Sequence, residues 1–195
     1  MTRPDAEDGV RALLLDLGLP DLAAGDTPRL AVESFRELFS GVGQDPLTPL
    51  RSVQPAPGHD LVAIRDIRIR SVCAHHLLPF SGTATVAYRP GAAIAGLGAI
   101  PRMIRILAAR PQLQEGLTRQ IADTLQAGLH PLGAVVLLTT RQGCLSDRGA
   151  LEADARVSTF AATGDLCDFS AADLRALVGE PGVPGECVRG AGPCW

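Results

Sequence analysis

The chain has 195 residues, of which 46% are hydrophobic, 20% charged and 4% aromatic, with a formal net charge of −3. That length fits one domain, or one domain with extensions, whose core must be built mainly from Ala, Val, Leu and Ile. The mild negative charge excludes a nucleic-acid surface dominated by phosphate contacts, and no apolar run reaches the length of a bilayer span. The polar, acidic N-terminus lacks the apolar stretch of a signal peptide, so a cytoplasmic protein with neither nucleic-acid nor membrane partner is the expectation. All 18 basic residues are arginine, which removes Schiff-base chemistry and the lysine point charge often used on phosphate. The five cysteines are odd in number and scattered, which does not read as a disulfide framework.

In chain order, Val10, Leu13, Leu14 and Leu17 recur at helical spacing over Glu7–Leu17, and Gly18 and Pro20 stop the pattern. A second helix is predicted from Thr27 as cap and Pro28 at the first helical position, burying Ala31, Phe35, Leu38 and Phe39 and ending at Gly41. A Pro- and Gly-rich connector without periodicity follows from Gly41 to Gly58. Val62–Val72 alternates as Ile67-Arg68-Ile69-Arg70, the period of a half-buried strand, and Thr83–Tyr88 is a second strand closed by Arg89-Pro90-Gly91. Ile100, Met103, Ile104 and Leu107 mark one helix, and Leu113, Leu117, Ile121 and Leu125 another beyond Pro111. Strands are predicted over Ala134–Thr140 and Ala155–Ala161, and a short helix capped by Ser170 with Asp173 runs through Val178.

The order strand, strand, helix, helix, strand, strand predicts an α+β domain: a four-stranded antiparallel sheet (ββααββ) with two helices on one face, preceded by N-terminal helices. Residues 1–58 form the N-terminal helical segment and connector, 59–180 the main domain, and 181–195 a poorly ordered Pro- and Gly-rich tail.

The chemistry centres on Ser71-Val72-Cys73-Ala74-His75-His76-Leu77-Leu78-Pro79-Phe80. A thiol and two imidazoles within four residues pack no better than Val or Leu would, and they are the preferred ligands of zinc. The plain alternative is a buried Cys beside two partly exposed His. Cys73 and His76 stand at C-x-x-H spacing where the first strand of the pair ends. Cys144, in Arg141-Gln142-Gly143-Cys144 after the third strand, is the best third ligand, because its loop can return to the same end of the sheet. Cys167, Cys187 and Cys194 lie beyond the core strands. Three protein ligands leave an open position for water, whose pKa the ion lowers to about 7, so the pattern implies hydrolysis or hydration. His75 points away from its neighbour in an extended chain and suits a general acid/base beside that water.

On these residues the chain resembles the GTP cyclohydrolase I family. The resemblance spans roughly Thr27 to Thr163 and rests on Thr27-Pro28-Arg29, Cys73-Ala74-His75-His76, Gly96-Leu97, Arg102, Arg110-Pro111-Gln112-Leu113-Gln114-Glu115, Cys144 and Arg148-Gly149. It implies the tunnelling fold, in which subunits join their sheets into a toroid. It also implies a homo-oligomer, typically a decamer, with active sites at subunit interfaces. The implied activity is zinc-dependent hydrolysis of a purine nucleotide. Zinc-activated water attacks C8 of the guanine ring of GTP, opens the imidazole, and the reaction proceeds through formate release to dihydroneopterin triphosphate, a step of pterin biosynthesis. Carried over by residue, Cys73, His76 and Cys144 are the zinc ligands and His75 the catalytic histidine. Glu115 reads guanine through its paired N–H donors, with Gln114 its neighbour in the pocket. Leu97 joins the substrate-binding set, and Arg29, Arg102 and Arg148 the phosphate-binding part of it.

The departures from the family are Ala74 for a usual Glu, Gly98-Ala99 for a Ser-Lys pair, and Gln142 for the second catalytic histidine. Glutamine does not titrate and cannot shuttle a proton. Three alternatives therefore stay open: a less phosphorylated purine substrate, an endpoint at a formamidopyrimidine or diaminopyrimidine, and an inactive zinc-binding regulatory homologue. Nitrile reductases of the same fold need an active thiol and a nicotinamide cofactor, whereas Cys73 is better explained as a ligand.

Overall fold

The computed structural model describes residues 5–170 together with Asp173. They fall into two compact units that divide between Ser40 and Gly41. The N-terminal unit holds α1 (Ala6–Asp16), α2 (Pro20–Ala24) and α3 (Thr27–Leu38). The first helix stops before Gly18 and Pro20 as expected, and Pro20 also begins α2, where its missing N–H has no partner to lose. Asp26 takes the cap position of α3 and Thr27 is already helical. Of the expected apolar stripes, α1 buries no residue fully, and Leu13 and Leu17 are 57% and 61% exposed. In α3 the buried pair is Pro28 and Val32, with Phe35 stacked on Phe39 at 5.5 Å between ring centroids. So short a segment lacks the volume to enclose more than one narrow stripe.

In the larger unit, β1 (Val53–Pro55) is followed by β2 (Val62–Cys73), β3 (Pro79–Arg89), β4 (Ala93–Ala95), α4 (Ala99–Ala108), β5 (Pro111–Gln112), α5 (Gln114–Leu129), β6 (Gly133–Gln142), α6 (Gly143–Ser146) and β7 (Val157–Gly164). The main sheet runs β5-β2-β3-β6-β7, while β1 pairs with β4 in a small ribbon. Its long strands are antiparallel neighbours, and the two-residue β5 pairs parallel to the end of β2. This is the α+β arrangement expected. Ile67 and Ile69 of β2 point into the core while Arg68 and Arg70 stay exposed, as the alternation requires. A bulge interrupts the register between Ile64 and Ile67, where Asp66 takes a φ of 56°.

One continuous core joins that sheet face to both helices: Phe80, Val86, Tyr88, Val136 and Leu138 meet Ile100, Met103, Ile104 and Leu107 of α4 and Leu117, Ile121 and Leu125 of α5. Each such large side chain stabilises the fold by about 1.5–3 kcal/mol. Residues 41–58, read from sequence as a connector, lie in this larger unit. Leu50, in a 3-10 turn over Thr48–Arg51, is 1% exposed within the core. Among the described residues no helix is long and apolar enough to cross a membrane. Ser170 and Asp173 cap one another, the Ser170 N–H donating to Asp173 Oδ2 at 2.9 Å and the Asp173 N–H to Ser170 Oγ at 3.2 Å. The rest of the helix expected through Val178, and the segment 181–195 with Cys187 and Cys194, lie outside the described residues.

Candidate metal centre and its cavity

The cluster forms because three chain segments end together. Cys73 is the last residue of β2, and the loop after it is closed by its own backbone. The Cys73 N–H donates to Leu78 O at 2.9 Å and the Leu77 N–H donates to Cys73 O at 2.9 Å. Leu77 takes a φ of 53° to make that turn. The Ala74 N–H donates to Gln112 O at 3.2 Å, tying the loop to β5. His75 and His76 stand exposed on this loop, with ring centroids 6.1 Å apart and planes at 89°. On the other side β6 ends opposite the start of β3, Gln142 facing Phe80, and Gly143 turns the chain into α6. Cys144 is thereby delivered to the end of β2.

The ligand atoms of Cys73, His76 and Cys144 all lie within 4.8 Å of one another. In a tetrahedral zinc site with metal–sulfur bonds of about 2.3 Å and metal–nitrogen bonds of about 2.0 Å, ligand atoms stand roughly 3.5–4 Å apart. Two sulfurs and one imidazole nitrogen at this separation fit zinc by donor type and by spacing. Burial pushes the Cys144 thiol above its ordinary pKa, and the neighbouring Cys73 adds to the rise through charge and hydrogen bonding, while Arg148 pulls the other way. A bound cation would reverse this, since a coordinated thiol is deprotonated. Cys73 is buried, Cys144 half-buried and His76 exposed, so the cluster is open on one side.

That open side adjoins a cavity of about 320 Å³ whose lining includes Cys73, Cys144, His75, Glu115 and Gln142. Glu115 lies in the first turn of α5 and is exposed. Gln114 touches the cavity, but its side chain is 3% exposed and turned into the sheet. Its Nε2 donates to Leu138 O at 3.3 Å, Val157 O at 3.0 Å and Thr159 Oγ1 at 3.0 Å. Its Oε1 accepts from Thr140 Oγ1 at 2.5 Å and from Gln142 Nε2 at 2.6 Å. The amide expected beside Glu115 as a substrate contact is therefore engaged at both ends within the protein.

Sequence reasoning missed the partners of this network. Thr118, Thr140 and Thr159 looked like ordinary helix and strand residues. The available signal was their face: Thr118 lies one turn beyond Gln114, and Thr140 two residues before Gln142, on the same side of β6. Gln112 was also missed; its Nε2 donates to Leu107 O, and its Oε1 is buried with no hydrogen-bond partner among the described residues. Asp147, at the end of α6, accepts from Ser146 Oγ at 2.7 Å and from Arg141 of β6, and the Arg141 bond ties α6 to β6.

The remaining candidates lie outside the cavity's lining, though Arg148 is near enough to Cys144 to act on its thiol. Leu97, Arg102 and Arg148 are exposed and do not line the cavity. Leu97 precedes α4 and Arg102 lies in its first half. Because α4 leads toward β5, which pairs beside Val72, both residues lie toward the end of the sheet remote from Cys73. Arg29 belongs to the N-terminal unit, where it pairs with Glu33 at 2.9 Å and Asp26 at 3.7 Å.

Residues 6–177 match the family described as GTP cyclohydrolase I. A GTP cyclohydrolase 1 of Leifsonia xyli subsp. xyli is 46% identical over 167 residues, covering 84% of this chain and 86% of that protein. One from Streptomyces coelicolor is 38% identical over 169 residues, covering 85% and 84%. Among solved structures, an archaeosine synthase QueF-Like in the apo form matches with a TM-score of 0.42 and 20% identity, over 56% of this chain and 96% of that one.

Proposed function

As the chain belongs to the GTP cyclohydrolase I family, we propose that it is a zinc-dependent cyclohydrolase that opens the imidazole ring of a guanine nucleotide by hydrolytic attack at C8. The observation that carries this reading is that the Cys73, His76 and Cys144 cluster presents both its cysteines to a cavity also lined by His75 and Glu115. Cys73, His76 and Cys144 would hold the zinc, which when bound supplies Lewis acidity and an open position for water. Glu115 offers two parallel acceptors to the guanine N1–H and exocyclic amine, orienting C8 toward the cluster. The His75 imidazole, two residues from Cys73 and on the cavity wall, takes the proton from the attacking water at a ring nitrogen and returns it to the nitrogen released as the ring opens. Leu113, Leu145 and Val157 offer the base an apolar surface within the cavity.

Arg102 and Arg148 would meet the polyphosphate. Since Leu97 and Arg102 lie toward the far end of the sheet from Cys73, the proposal places them in a neighbouring subunit's site and makes the protein a homo-oligomer. Leu97, 69% exposed, would be covered in such an assembly.

A second reading concerns the endpoint. Gln142 is a neutral amide bonded into a neutral network, so proton transfers after ring opening lack a titrating group there. The product would then be the formamidopyrimidine, or the diaminopyrimidine left after formate loss. Zinc-loaded protein given GTP, GMP or guanosine, with formate release and product mass measured, tests both readings. Zinc-dependent ring opening of GTP is expected, and a pterin product would exclude the early stop. Neither formate nor a ring-opened product from any of the three would identify an inactive zinc-binding homologue.

A further inference from the structure

Gln142 Nε2 donates to Gln114 Oε1 at 2.6 Å and to Thr140 Oγ1 at 3.0 Å. Which end of an amide points where follows from its neighbours, and here the neighbours leave one solution. Leu138 O and Val157 O are backbone carbonyls that can only accept, so the end of Gln114 facing them must be its nitrogen. Gln114 Oε1 therefore faces Thr140 and Gln142. The Thr140 hydroxyl gives its single proton to that oxygen and can only accept from Gln142. Gln142 must then present nitrogen to both, which occupies both of its N–H bonds. The far side of the network agrees: the Thr118 hydroxyl donates to Gln114 O at 2.8 Å, so it accepts from Thr159, whose oxygen accepts from Gln114 Nε2.

Gln142 Oε1 is left over. It has no hydrogen-bond partner among the described residues, and it is not enclosed, since Gln112 Oε1 alone among them is a buried side-chain polar atom without one. Gln142 lines the cavity beside Cys144 and His75. We propose that Gln142 is a specificity residue whose amide is locked by Thr140 and Gln114 so that it shows the cavity only a hydrogen-bond acceptor. It selects a ligand that brings an N–H or O–H donor to that wall. Together with the Glu115 carboxylate it makes the wall hostile to phosphate oxygens, so the polyphosphate end of a nucleotide must leave in another direction. Thr140 and Gln114 are positioning residues. The identity of the ligand rests on the function proposed above; the orientation of the amide does not.

Two measurements separate those dependencies. Neutron diffraction from the deuterated, zinc-loaded full chain distinguishes amide nitrogen from oxygen. Nitrogen toward Gln114 is expected, and oxygen there would overturn the proposal. Second, kcat/KM for opening of the imidazole ring is compared among GTP, 2′-deoxy-GTP, 3′-deoxy-GTP and inosine triphosphate, the last three each lacking one donor. The natural protein is expected to disfavour one of them by about tenfold, the worth of one hydrogen bond, and Gln142→Met to lose that preference. Thr140→Val should weaken the same preference while Thr140→Ser keeps it, a pattern that a purely structural threonine would not produce. Discrimination unchanged in Gln142→Met, or none among the analogues, overturns the specificity role. Should GTP itself be neither bound nor opened, the proposed function fails, and the neutron result still decides the orientation.

Discussion

A Cβ built on Gly143 would lie 2.7 Å from the carbonyl oxygen of Pro79, and 3.2 Å from Asp147 Oδ2. The first of these is closer than real Cβ atoms come, and the obstacle is backbone at the start of β3. Gly143→Ala must therefore push α6 away from β3 and carry Cys144 with it. Zinc affinity is expected to fall about tenfold or more, the size seen when the support of metal ligands is disturbed. Competition with a chromogenic chelator measures it, and unchanged affinity would show that α6 is held from elsewhere.

Gln114 is predicted to be a stability residue. Gln114→Met keeps the volume but leaves Leu138 O, Val157 O and the hydroxyls of Thr140 and Thr159 without their amide partner. Each buried group left unpaired costs about 1–3 kcal/mol. A loss of at least about 2 kcal/mol in urea unfolding is expected, against a smaller loss for Gln142→Met at the edge of the same network.

Asp147 carries a pH signature. The Ser146 hydroxyl, helped by Arg141, holds its carboxyl below the ordinary carboxylate range and outweighs an opposing push from desolvation. A folded value lying below the unfolded one means stability that is present above the unfolded pKa and lost as pH falls through the folded one. The Tm difference between the natural chain and Asp147→Asn should be present at neutral pH and shrink as the pH drops below the ordinary carboxylate pKa of about 4 toward the lower folded value. A difference that grows on acidification would overturn this assignment. The effect is small, because the side chain is exposed and screened.

The product should respond to Gln142→His. An imidazole at this position titrates near neutrality where an amide does not. The variant is expected to raise the proportion of pterin relative to ring-opened pyrimidine, read by product mass and by pterin fluorescence. An identical product ratio would place the later proton transfers on other groups.

Much of this was legible before any coordinates. The alternation of Ile67 to Arg70 and the helical stripes of α4 and α5 each reflect a period that burial of one face imposes locally. The C-x-x-H spacing of Cys73 and His76, with Cys144 after the third long strand, was legible because strand order alone brings those ends together. What escaped was short or paired at a distance. β5 is two residues long and exists only through Val72 and Cys73, and β1 exists only through β4. Pro20 reads from sequence only as a helix stop; that the same missing N–H also serves the start of α2 was not legible there.

By itself, the sequence determined which residues could hold a metal, which faces were apolar and which groups could move a proton, since these are properties of residue type and spacing. The tertiary structure decided direction. Gln114 and Gln142 each carry a donor and an acceptor, and nothing in the order of residues says which end meets the cavity. Two backbone carbonyls on neighbouring strands settle it, because a carbonyl can accept a hydrogen bond and never donate one.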